Sequence, residues 1–495
     1  MKMNRSVVSF ILVLAIIVVI VPTLAIASIY MNGDRSRVNV VIDGRAVLFP
    51  DQLPIIVEGR TLIPIDSVFE IMGFDVQWDE ETQQVTLVDD CVVIITNGLH
   101  TFYVNGAEYE LCVPAQIVGD RMMLPIRAVL ESAGYHVDWR HSTRTILIST
   151  TVVETIAGTG RHGFADGTNA VFNIPGGIFG RGDGEVYVAD TYNNLIRRID
   201  NTGYVHTLAG TVLALDEIGF PRGALIDGDT ASALFNRPLS GVFDNLGRLF
   251  VADSLNHTIR VIENEQVYTF AGSEVAGHVD GSAHNARFNH PSAVASDPHG
   301  NIFVADTQNH VIRRIAANGT VTTVAGVPGT SGHRDGGRES ALFSYPMGIA
   351  VSNDGRIFVA DTGNHLIRMI DGTRVTTVAG RLSSPYDVDP EEYGDFDYVP
   401  LGGFADGNDA MFNQPTDVAI WRDMIIVADS VNHRIRAVLP TGETITIAGS
   451  GLADHVDGPS LNAAFHLPQG VYVNGDMLYV SDTGNNLIRQ FLLER

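Results

Sequence analysis

The chain has 495 residues, of which 50 are glycine and 18% are charged, and its formal net charge at pH 7 is -25. Such an excess of acidic side chains argues against the binding of nucleic acid or anionic lipid by general electrostatic attraction. The length allows about two to four domains, and the abundance of glycine is typical of many short strands joined by turns.

The first residues have the pattern of an export signal. Two basic residues, Lys2 and Arg5, precede a long apolar run, and Ala25-Ile26-Ala27 supplies a small-residue cleavage site. This pattern predicts a signal peptide over residues 1–28. The apolar run is also nearly long enough to cross a bilayer, so an uncleaved N-terminal anchor is the alternative. Both alternatives predict an extracytoplasmic protein, secreted or anchored at the cell surface, whose only membrane contact is this segment.

Residues 38–149 contain two tandem copies of one sequence unit. The segment GRTLIPI at 59–65 returns as DRMMLPI at 120–126, an offset of 61 residues, and Trp78 corresponds to Trp139. Each copy predicts a short strand, a helix that begins near the proline, a glycine stop and a pair of strands. Asp43-Gly44 and Asn105-Gly106 predict further hairpin turns.

This region resembles the copper amine oxidase N-terminal domain of secreted bacterial proteins, on the strength of GRTLIPI and of VQWD at 76–79. The resemblance implies a small attachment or stalk module. Amine oxidase activity needs a tyrosine-derived quinone and a His-x-His copper pair, and the sequence contains no His-x-His. We therefore expect His100, His136 and His141 to be surface residues rather than ligands.

The two cysteines of the chain, Cys91 and Cys112, both lie in this region. An exported protein can form disulfides, and both residues fall at the edges of predicted short strands. The sequence therefore allows a disulfide between them, with two buried thiols as the alternative.

The remaining chain, residues 151–495, repeats one pattern six times. A complete copy is IFVADTQNHVIRRIAANGTVTTVAG at 302–326, and each copy follows a linking segment with an Asp-Gly pair, a phenylalanine and a proline. The third unit is predicted to contain four strands, at Ala293–Ser296, Asn301–Ala305, Val311–Ile315 and Thr320–Ala325. Repeated units of four strands predict a β-propeller, here with six blades.

The two ends of this region are predicted to share one blade. The last copy stops after its third strand, whereas VVETIAG at 152–158 matches a fourth strand. Residues 152–158 are therefore expected to complete the sixth blade and close the ring. The full prediction is a mainly β protein, a six-bladed β-propeller preceded by a small α+β domain of two tandem strand-helix-strand units.

The six copies resemble NHL repeats, whose name-giving tripeptide stands intact at Asn364-His365-Leu366. The resemblance implies a binding scaffold. NHL ubiquitin ligases carry a zinc-binding RING, which needs more cysteine and histidine ligands than two cysteines can supply. Six-bladed relatives also include a metal-dependent lyase, so an enzyme stays an alternative.

Each copy has an aspartate followed seven residues later by an arginine. The aspartate ends the second strand and the arginine lies in the third, so that a guanidinium can hold the carboxylate with two hydrogen bonds. Six identical catalytic acids make little chemical sense, and we interpret the pairs as structural. The pairs are Asp190/Arg197, Asp253/Arg260, Asp306/Arg313, Asp361/Arg368, Asp429/Arg436 and Asp482/Arg489.

Positions that differ between the copies are the candidates for specificity. Two of them are the residue after the loop asparagine and the residue two places before the linker aspartate, and both are expected on one face of the ring. Together with tyrosines of an insertion at 381–401, they predict a ligand-binding rim: His257, His278, His310, His333, His365, His433, His455, Phe164, Phe404, Tyr386 and Tyr393. Converging imidazoles could bind a transition metal, but no close ligand spacing occurs, and we predict neither a metal nor a cofactor.

Two insertions, at 211–221 and 381–401, interrupt the repeat, and long loops on a rigid frame often carry binding. The second insertion has six acids and three tyrosines, and it lacks the ligand spacing of a calcium loop. The sequence thus favours a non-catalytic extracytoplasmic binding protein for a protein, peptide or cell-wall glycan. The alternative is a metal-dependent hydrolase or lyase in the central channel, which no nucleophile elbow, phosphate loop or HExxH motif supports.

Overall fold

The computed structural model describes residues 37–89, 91–141, 143–217, 219–381 and 402–493. The predicted signal peptide at 1–28 and the rim residues Tyr386 and Tyr393 lie outside these ranges. The described residues form two compact units. One contains Ala46–Ile148 with the described residues before Asp43, and the other contains Asp43–Arg45 with the described residues from Ser149 onward.

The N-terminal unit contains three small sheets and two short helices among its described residues. Its elements are β1 (Asn39–Ile42), β2 (Arg45–Ala46), β3 (Ile55–Val57), β4 (Arg60–Pro64), α1 (Ile65–Phe69), β5 (Asp75–Asp79), β6 (Gln84–Val88), β7 (Val92–Thr96), β8 (Thr101–Val104), β9 (Ala107–Glu110), β10 (Gln116–Val118), β11 (Arg121–Pro125), α2 (Ile126–Ser132), β12 (His136–Arg140) and β13 (Thr145–Ser149). The sheet orders are β12-β13-β1-β2, β10-β11-β4-β3 and β5-β6-β7-β8-β9.

The predicted twofold repeat is confirmed in this unit. Each copy has a strand, a helix directly after its proline, a left-handed glycine (Gly73 with φ 91°, Gly134 with φ 89°) and two paired strands. The two copies meet through the antiparallel pair β4–β11, where Ile63 lies opposite Leu124. The hairpin turn at Asn105-Gly106 has positive φ at both residues, as a type I′ turn requires.

No disulfide joins Cys91 and Cys112. Cys91 is half-buried and packs against the apolar core of the unit, whereas the side chain of Cys112 is exposed. The disulfide that the sequence allowed is therefore not formed in this structure, and the alternative of two buried thiols does not hold for Cys112.

The second unit is a ring of six sheets, and each sheet has four main strands. The innermost strands are β15 (Ile178–Gly180), β20 (Pro238–Phe243), β25 (Pro291–Ser296), β30 (Pro346–Val351), β34 (Pro415–Trp421) and β39 (Gly470–Asn474). The second strands are β16 (Val186–Asp190), β21 (Leu249–Asp253), β26 (Ile302–Asp306), β31 (Ile357–Asp361), β35 (Met424–Asp429) and β40 (Met477–Asp482).

The third strands are β17 (Leu195–Ile199), β22 (Thr258–Glu263), β27 (Val311–Ile315), β32 (Leu366–Asp371), β36 (Arg434–Val438) and β41 (Leu487–Leu492). The outermost strands are β18 (Val205–Ala209), β23 (Gln266–Gly272), β28 (Thr320–Ala325), β33 (Arg374–Ala379), β37 (Thr444–Ala448) and, in the sixth blade, β14 (Val152–Ala157). Four linkers add a two-residue strand at the outer edge: β19 (Gly228–Asp229), β24 (Gly281–Ser282), β29 (Gly336–Gly337) and β38 (Gly458–Pro459).

Both ends of the propeller region contribute to the sixth blade. Strand β14 pairs antiparallel with β41, with Glu154 opposite Gln490. The prediction that residues 152–158 complete the last blade is therefore confirmed. The four strands predicted for the third blade are also observed, and the innermost one starts two residues earlier, at Pro291.

Apolar side chains fill the spaces between neighbouring blades. Phe288 of the third linker is fully buried in a cluster with Phe250 and Ile259 of the second blade and Val304 of the third. The linker phenylalanines thus lie between sheets, and burying one such ring contributes about 1.5–3 kcal/mol.

Candidate functional site: the axial cavity and its mouth

Each strand-end aspartate binds a fully buried arginine. In the third blade, Arg313 donates from Nη1 to Asp306 Oδ2 (2.8 Å) and from Nη2 to Oδ1 of the linker residue Asp280 (2.6 Å). The guanidinium also lies over the ring of Phe288, 5.1 Å from its centroid. All six blades repeat this pair of contacts, which supports a structural role and adds the linker aspartate as a partner that sequence reasoning missed.

The six arginines bind a second carboxylate besides the predicted one. The predicted pair of strand-end aspartate and arginine is present in every blade. Each guanidinium divides its two terminal nitrogens between this aspartate and the linker aspartate, a contact that the sequence did not predict. The physical reason is the linker, which passes beside the arginine and brings a second carboxylate to it. The observed triads are Asp190–Arg197–Asp166, Asp253–Arg260–Asp227, Asp306–Arg313–Asp280, Asp361–Arg368–Asp335, Asp429–Arg436–Asp406 and Asp482–Arg489–Asp457.

The third nitrogen of the guanidinium, Nε, distinguishes the blades. Nε of Arg313 and Nε of Arg436 donate to their linker aspartates at 3.2 Å and 3.0 Å. In the other four blades, Nε is buried and has no acceptor among the described residues, and these arginines are Arg197, Arg260, Arg368 and Arg489. A buried donor without an acceptor costs free energy. All six arginine side chains are fully buried, so none of them can contact a ligand.

The strand-end carboxylates are satisfied within the blade. Asp306 Oδ1 accepts the backbone N–H of Asn289, and Oδ2 accepts the side-chain amide of Asn309 as well as Arg313. Burial raises the pKa of Asp306 to about 6, although the positive charge of Arg313 acts to lower it. The carboxylate is ionised at neutral pH, and its contacts leave it no role toward a ligand.

The residue after each loop asparagine binds the next blade. His310 has a left-handed backbone (φ 57°), and its Nδ1 accepts a hydrogen bond from the backbone N–H of Tyr345 (3.1 Å). Burial lowers the pKa of His310, so that a neutral imidazole is available as acceptor. Four histidines make this contact through Nδ1 and two asparagines through Oδ1, and we call them the clamp residues: His257, His310, His365, His433, Asn194 and Asn486.

Replacing His310 by alanine is expected to lower the free energy of unfolding by about 1–2 kcal/mol, because the Tyr345 N–H would lose its acceptor. Asparagine should cost less, since Asn194 and Asn486 already make this contact and asparagine tolerates left-handed backbone. Urea unfolding of His310→Ala and His310→Asn measures the difference. Equal losses in the two variants would contradict the clamp role.

The structure does not bring the seven predicted rim histidines together. His278 and His455 lie over the outermost strands, where Nε2 contacts the hydroxyl groups of Thr323 (2.8 Å) and Thr155 (3.3 Å). The four clamp histidines lie at blade junctions instead. The physical reason is the path of the linker, which follows the outermost strand of its blade, as β24 follows β28, before it returns to the axis.

The other described rim residues also lie on the linkers. His333 and Phe164 are exposed, and Phe404 lies under the guanidinium of Arg434, 3.8 Å from the ring centroid. Within the described ranges, no group of three or more His, Cys, Asp or Glu side chains could hold a metal ion. The metal-dependent alternative therefore gains no support from these residues.

A different ring of residues surrounds the axial opening. The residue directly before each innermost-strand proline has positive φ and donates its backbone N–H to a clamp residue of the preceding blade. The residues after the proline line the axial cavity, so these six residues come directly before the cavity wall in the chain. We call them the mouth ring: Ile174, Arg237, His290, Tyr345, Gln414 and Leu467. The six residues have the same backbone conformation and the same backbone hydrogen bond, whereas their side chains differ. Such a set of side chains is suited to selecting one ligand over another.

Three successive members of the mouth ring are aromatic or cationic. The guanidinium of Arg237 lies over Tyr192, 3.3 Å from the ring centroid, and Tyr192 packs edge-on against Phe220. His290 packs against the clamp residue His257 with centroids 4.7 Å apart. Tyr345, which is 45% exposed, packs in the same way against His310 at 4.6 Å.

We call these side chains, with the rings that pack against Arg237, the aromatic arc, comprising Tyr192, Phe220, Arg237, His290 and Tyr345. Nη1 of Arg237 is buried and has no hydrogen-bond acceptor among the described residues. The opposite side of the mouth carries Gln414, Leu467 and Ile174 instead. The mouth therefore has one aromatic and cationic side and one largely aliphatic side.

The six innermost strands enclose an axial cavity of about 330 Å³, including the part open to solvent. Its wall is formed by the first and second residues after the strand prolines: Gly176, Gly177, Leu239, Ser240, Ser292, Ala293, Met347, Thr416, Asp417 and Gln469. Asp417 is the one ionisable side chain among these wall residues. It has no counterpart in the other blades, which have glycine, serine or alanine at this position.

Asp417 is an acid without a cationic partner among the described residues. Oδ1 accepts the backbone N–H of Val418 (2.9 Å), and Oδ2 accepts that of Val471 in the next blade (3.1 Å). Burial raises the pKa of Asp417 to about 7 in spite of these hydrogen bonds. The cavity wall therefore changes its charge near neutral pH.

Sequence reasoning missed both Asp417 and the mouth ring. The available signal was the alignment of the six copies at the linker proline. One position before it and two positions after it, the copies differ in chemistry. The predicted rim instead combined positions near the Asp-Gly pair with the positions after the loop asparagine. The fold places the first set along the outermost strands and the second set at the blade junctions.

Among the described residues, no helix is both long enough and apolar enough to cross a lipid bilayer. The predicted N-terminal anchor lies outside those residues, and it stays a prediction.

Family models match both units. The copper amine oxidase N-terminal domain matches residues 41–148, the teneurin NHL domain matches residues 154–330, and the NHL repeat matches residues 343–368 and 412–437. The chain therefore contains a copper amine oxidase N-terminal domain and NHL repeats, as the sequence predicted.

Curated relatives match about half of the chain. The chain is 31% identical over 287 residues to SUPPRESSOR OF QUENCHING 1, a chloroplastic protein of Arabidopsis thaliana, covering 54% of this chain and 26% of that protein. It is 29% identical over 315 residues to human NHL repeat-containing protein 2, covering 56% and 42%. The matched region is thus less than half the length of each of these relatives.

Solved structures share the fold. An auxiliary nutrient binding protein of Bacteroides ovatus superposes with a TM-score of 0.51 at 16% identity, covering 81% of this chain and 94% of that one. A protein of the same name from Bacteroides thetaiotaomicron gives 0.52 at 12% identity, covering 81% and 93%. At such low identity these likenesses concern the fold alone.

Proposed function

We propose that this chain of NHL repeats is a non-catalytic binding protein that captures its ligand at the mouth of the axial cavity. The observation that carries the proposal is the mouth ring, in which six side chains of different chemistry stand on equivalent backbone positions. The naming of two similarly folded proteins as auxiliary nutrient binding proteins supports a binding role.

The ligand that suits this surface is a peptide or protein segment or a cell-wall glycan. Aromatic rings such as Tyr345 and Tyr192 offer apolar faces with polar edges, which suit both peptide side chains and sugar rings. Arg237 adds a planar group of hydrogen-bond donors. The leader pattern at 1–28 supports an extracytoplasmic setting, where the copper amine oxidase N-terminal domain would serve attachment.

Replacing Tyr345 by serine is expected to weaken ligand binding about tenfold or more, because a central aromatic anchor would be lost. The purified chain is tested against an array of bacterial cell-wall glycans and an array of short peptides, and the strongest probe is then titrated. Tyr204→Ser is the matched control, since Tyr204 is also exposed but lies beside the outermost strand β18.

Two results would contradict the proposal. One is full affinity of the Tyr345→Ser and Arg237→Ser variants for the chosen probe. The other is an equal loss in Tyr204→Ser, which would place binding away from the mouth.

A further inference from the structure

One residue of the cavity wall is explained neither by the fold nor by the mouth ring. The second residue after each strand proline packs close to the next innermost strand. A Cβ on Gly348, for example, would lie 2.5 Å from the Cα of Asp417. Small residues satisfy this packing in the other five blades. Packing therefore gives no reason for a carboxylate at Asp417.

The carboxylate of Asp417 can accept more hydrogen bonds than it receives within the blade. A carboxylate has about four lone-pair positions, and two backbone N–H groups, from Val418 and Val471, use two of them. The side chain is only partly buried, and it lies in the wall of the axial cavity. A ligand in the cavity can therefore reach it.

The rest of the wall offers neutral oxygen atoms. Hydroxyl groups of Ser240, Ser292 and Thr416 and the side-chain amide of Gln469 belong to the wall residues. Such groups accept hydrogen bonds from an ammonium group and also coordinate alkali cations. A single carboxylate balances a single positive charge, whereas divalent cations in proteins take several oxygen ligands and usually more than one carboxylate.

We propose that the axial cavity binds a monovalent cation at Asp417, such as the ammonium group of a primary amine. The pairing removes the cost of holding an ionised carboxylate away from bulk water without a counter-charge. This site is independent of the ligand proposed for the mouth ring. A free amine, a lysine-like side chain and an alkali ion share the required charge, and the test separates the amine from the ion.

Binding is expected to strengthen as the pH rises through about 7, because the cation pairs with the ionised form of Asp417. Strand β34 packs against β30, β31, β35, β39 and the turn Ser430–Asn432. Their ionisable groups are Asp361 and Asp429, each paired with a buried arginine, and Tyr472, whose hydroxyl accepts the Gly182 N–H. Burial also raises the pKa of Asp361, to about 6, and the pKa of Asp429. The Asp417→Asn variant is therefore what assigns the pH dependence of binding to Asp417.

Titration calorimetry of the purified full chain tests the proposal at constant ionic strength. The probes are n-butylammonium chloride, potassium chloride and calcium chloride, in a background of tetramethylammonium chloride, which has the charge but no N–H donor. We expect one n-butylammonium per chain, bound about tenfold or more tightly at pH 8 than at pH 5.5. Asp417→Asn should weaken binding about tenfold or more, since it keeps the shape and removes the charge.

Asp423→Asn is the matched control, because Asp423 is exposed in the turn between β34 and β35. It should bind n-butylammonium like the parent chain. Binding of potassium but not of the amine would support the monovalent site and identify an alkali ion as its occupant. Three results would overturn the proposal. They are binding of calcium alone, unchanged n-butylammonium affinity in Asp417→Asn, and no binding of any probe at pH 8.

Discussion

Replacing Arg313 by alanine is expected to lower the free energy of unfolding of the propeller by about 3–5 kcal/mol. The guanidinium is fully buried and holds Asp306, Asp280 and the carbonyl groups of Val279 and Arg287. Its removal would leave one buried carboxylate without its counter-charge and several acceptors without donors. It would also detach the linker from the blade, since Asp280 belongs to the linker.

Arg314→Ala is the matched control for this variant. Arg314 lies beside Arg313 in β27, but its side chain is exposed, so its loss should change stability by less than about 0.5 kcal/mol. Urea unfolding, with hydrogen exchange of peptides from residues 302–326, reports the propeller separately from the N-terminal unit. Similar losses in the two variants would refute the structural role of the buried pair.

The second large effect is expected from Asp417→Asn, and it depends on pH. Burial raises the pKa of Asp417 to about 7 from its ordinary value of 3.8. The unfolded chain therefore releases this proton more readily than the folded chain. As a consequence, ionisation of Asp417 lowers the free energy of unfolding progressively as the pH rises from about 4 to 7. The full reduction, reached above pH 7, is at most about 4 kcal/mol.

Asparagine cannot ionise, so the variant should match the parent chain near pH 4 and exceed it in stability at pH 8. Access of water to the cavity reduces the difference below its upper limit. Urea unfolding at pH 4, 6 and 8, without added amine, measures it, with Asp423→Asn as the pH-independent control. A stability difference that is constant with pH, or that shrinks as the pH rises, would contradict a raised pKa at Asp417.

Sequence repetition was sufficient to predict the architecture. Six copies of one pattern predicted six four-stranded blades, and the match between residues 152–158 and the fourth strand predicted the closure through β14 and β41, which the structure confirms. The twofold repeat before the propeller was equally informative. Short-range periodicity and turn residues are local properties, and they determine strands and hairpins without knowledge of distant contacts.

The predicted site was less successful, because it depended on where the linkers travel. The interpretation of His278 and His455 as members of an axial rim assumed that the linkers stay on one face. Instead, both histidines contact outermost strands. The disulfide allowed for Cys91 and Cys112 depended in the same way on a distance that sequence spacing does not determine.

The linker path also explains the contact of each arginine that the sequence did not predict. Spacing within one hairpin correctly brought Arg313 to Asp306, since the two residues lie on neighbouring strands. The second carboxylate, Asp280, lies 33 residues before Arg313 in the chain. Periodicity within a hairpin carries no information about such a distant partner, so the contact with the linker aspartate was not predicted.

The sequence by itself determined the number of blades, the pairing of each strand-end aspartate with its arginine and the positions at which the copies differ, since each of these is a property of aligned repeats. The tertiary structure alone decided which of those positions face the axis. Strand twist and the linker path carry the Asp-Gly segments to the outer edge, and the residues around the linker prolines converge on the centre. Asp417 and the mouth ring are therefore ordinary residues in the linear sequence, and closure of the ring is what brings Asp417 into the wall of the axial cavity.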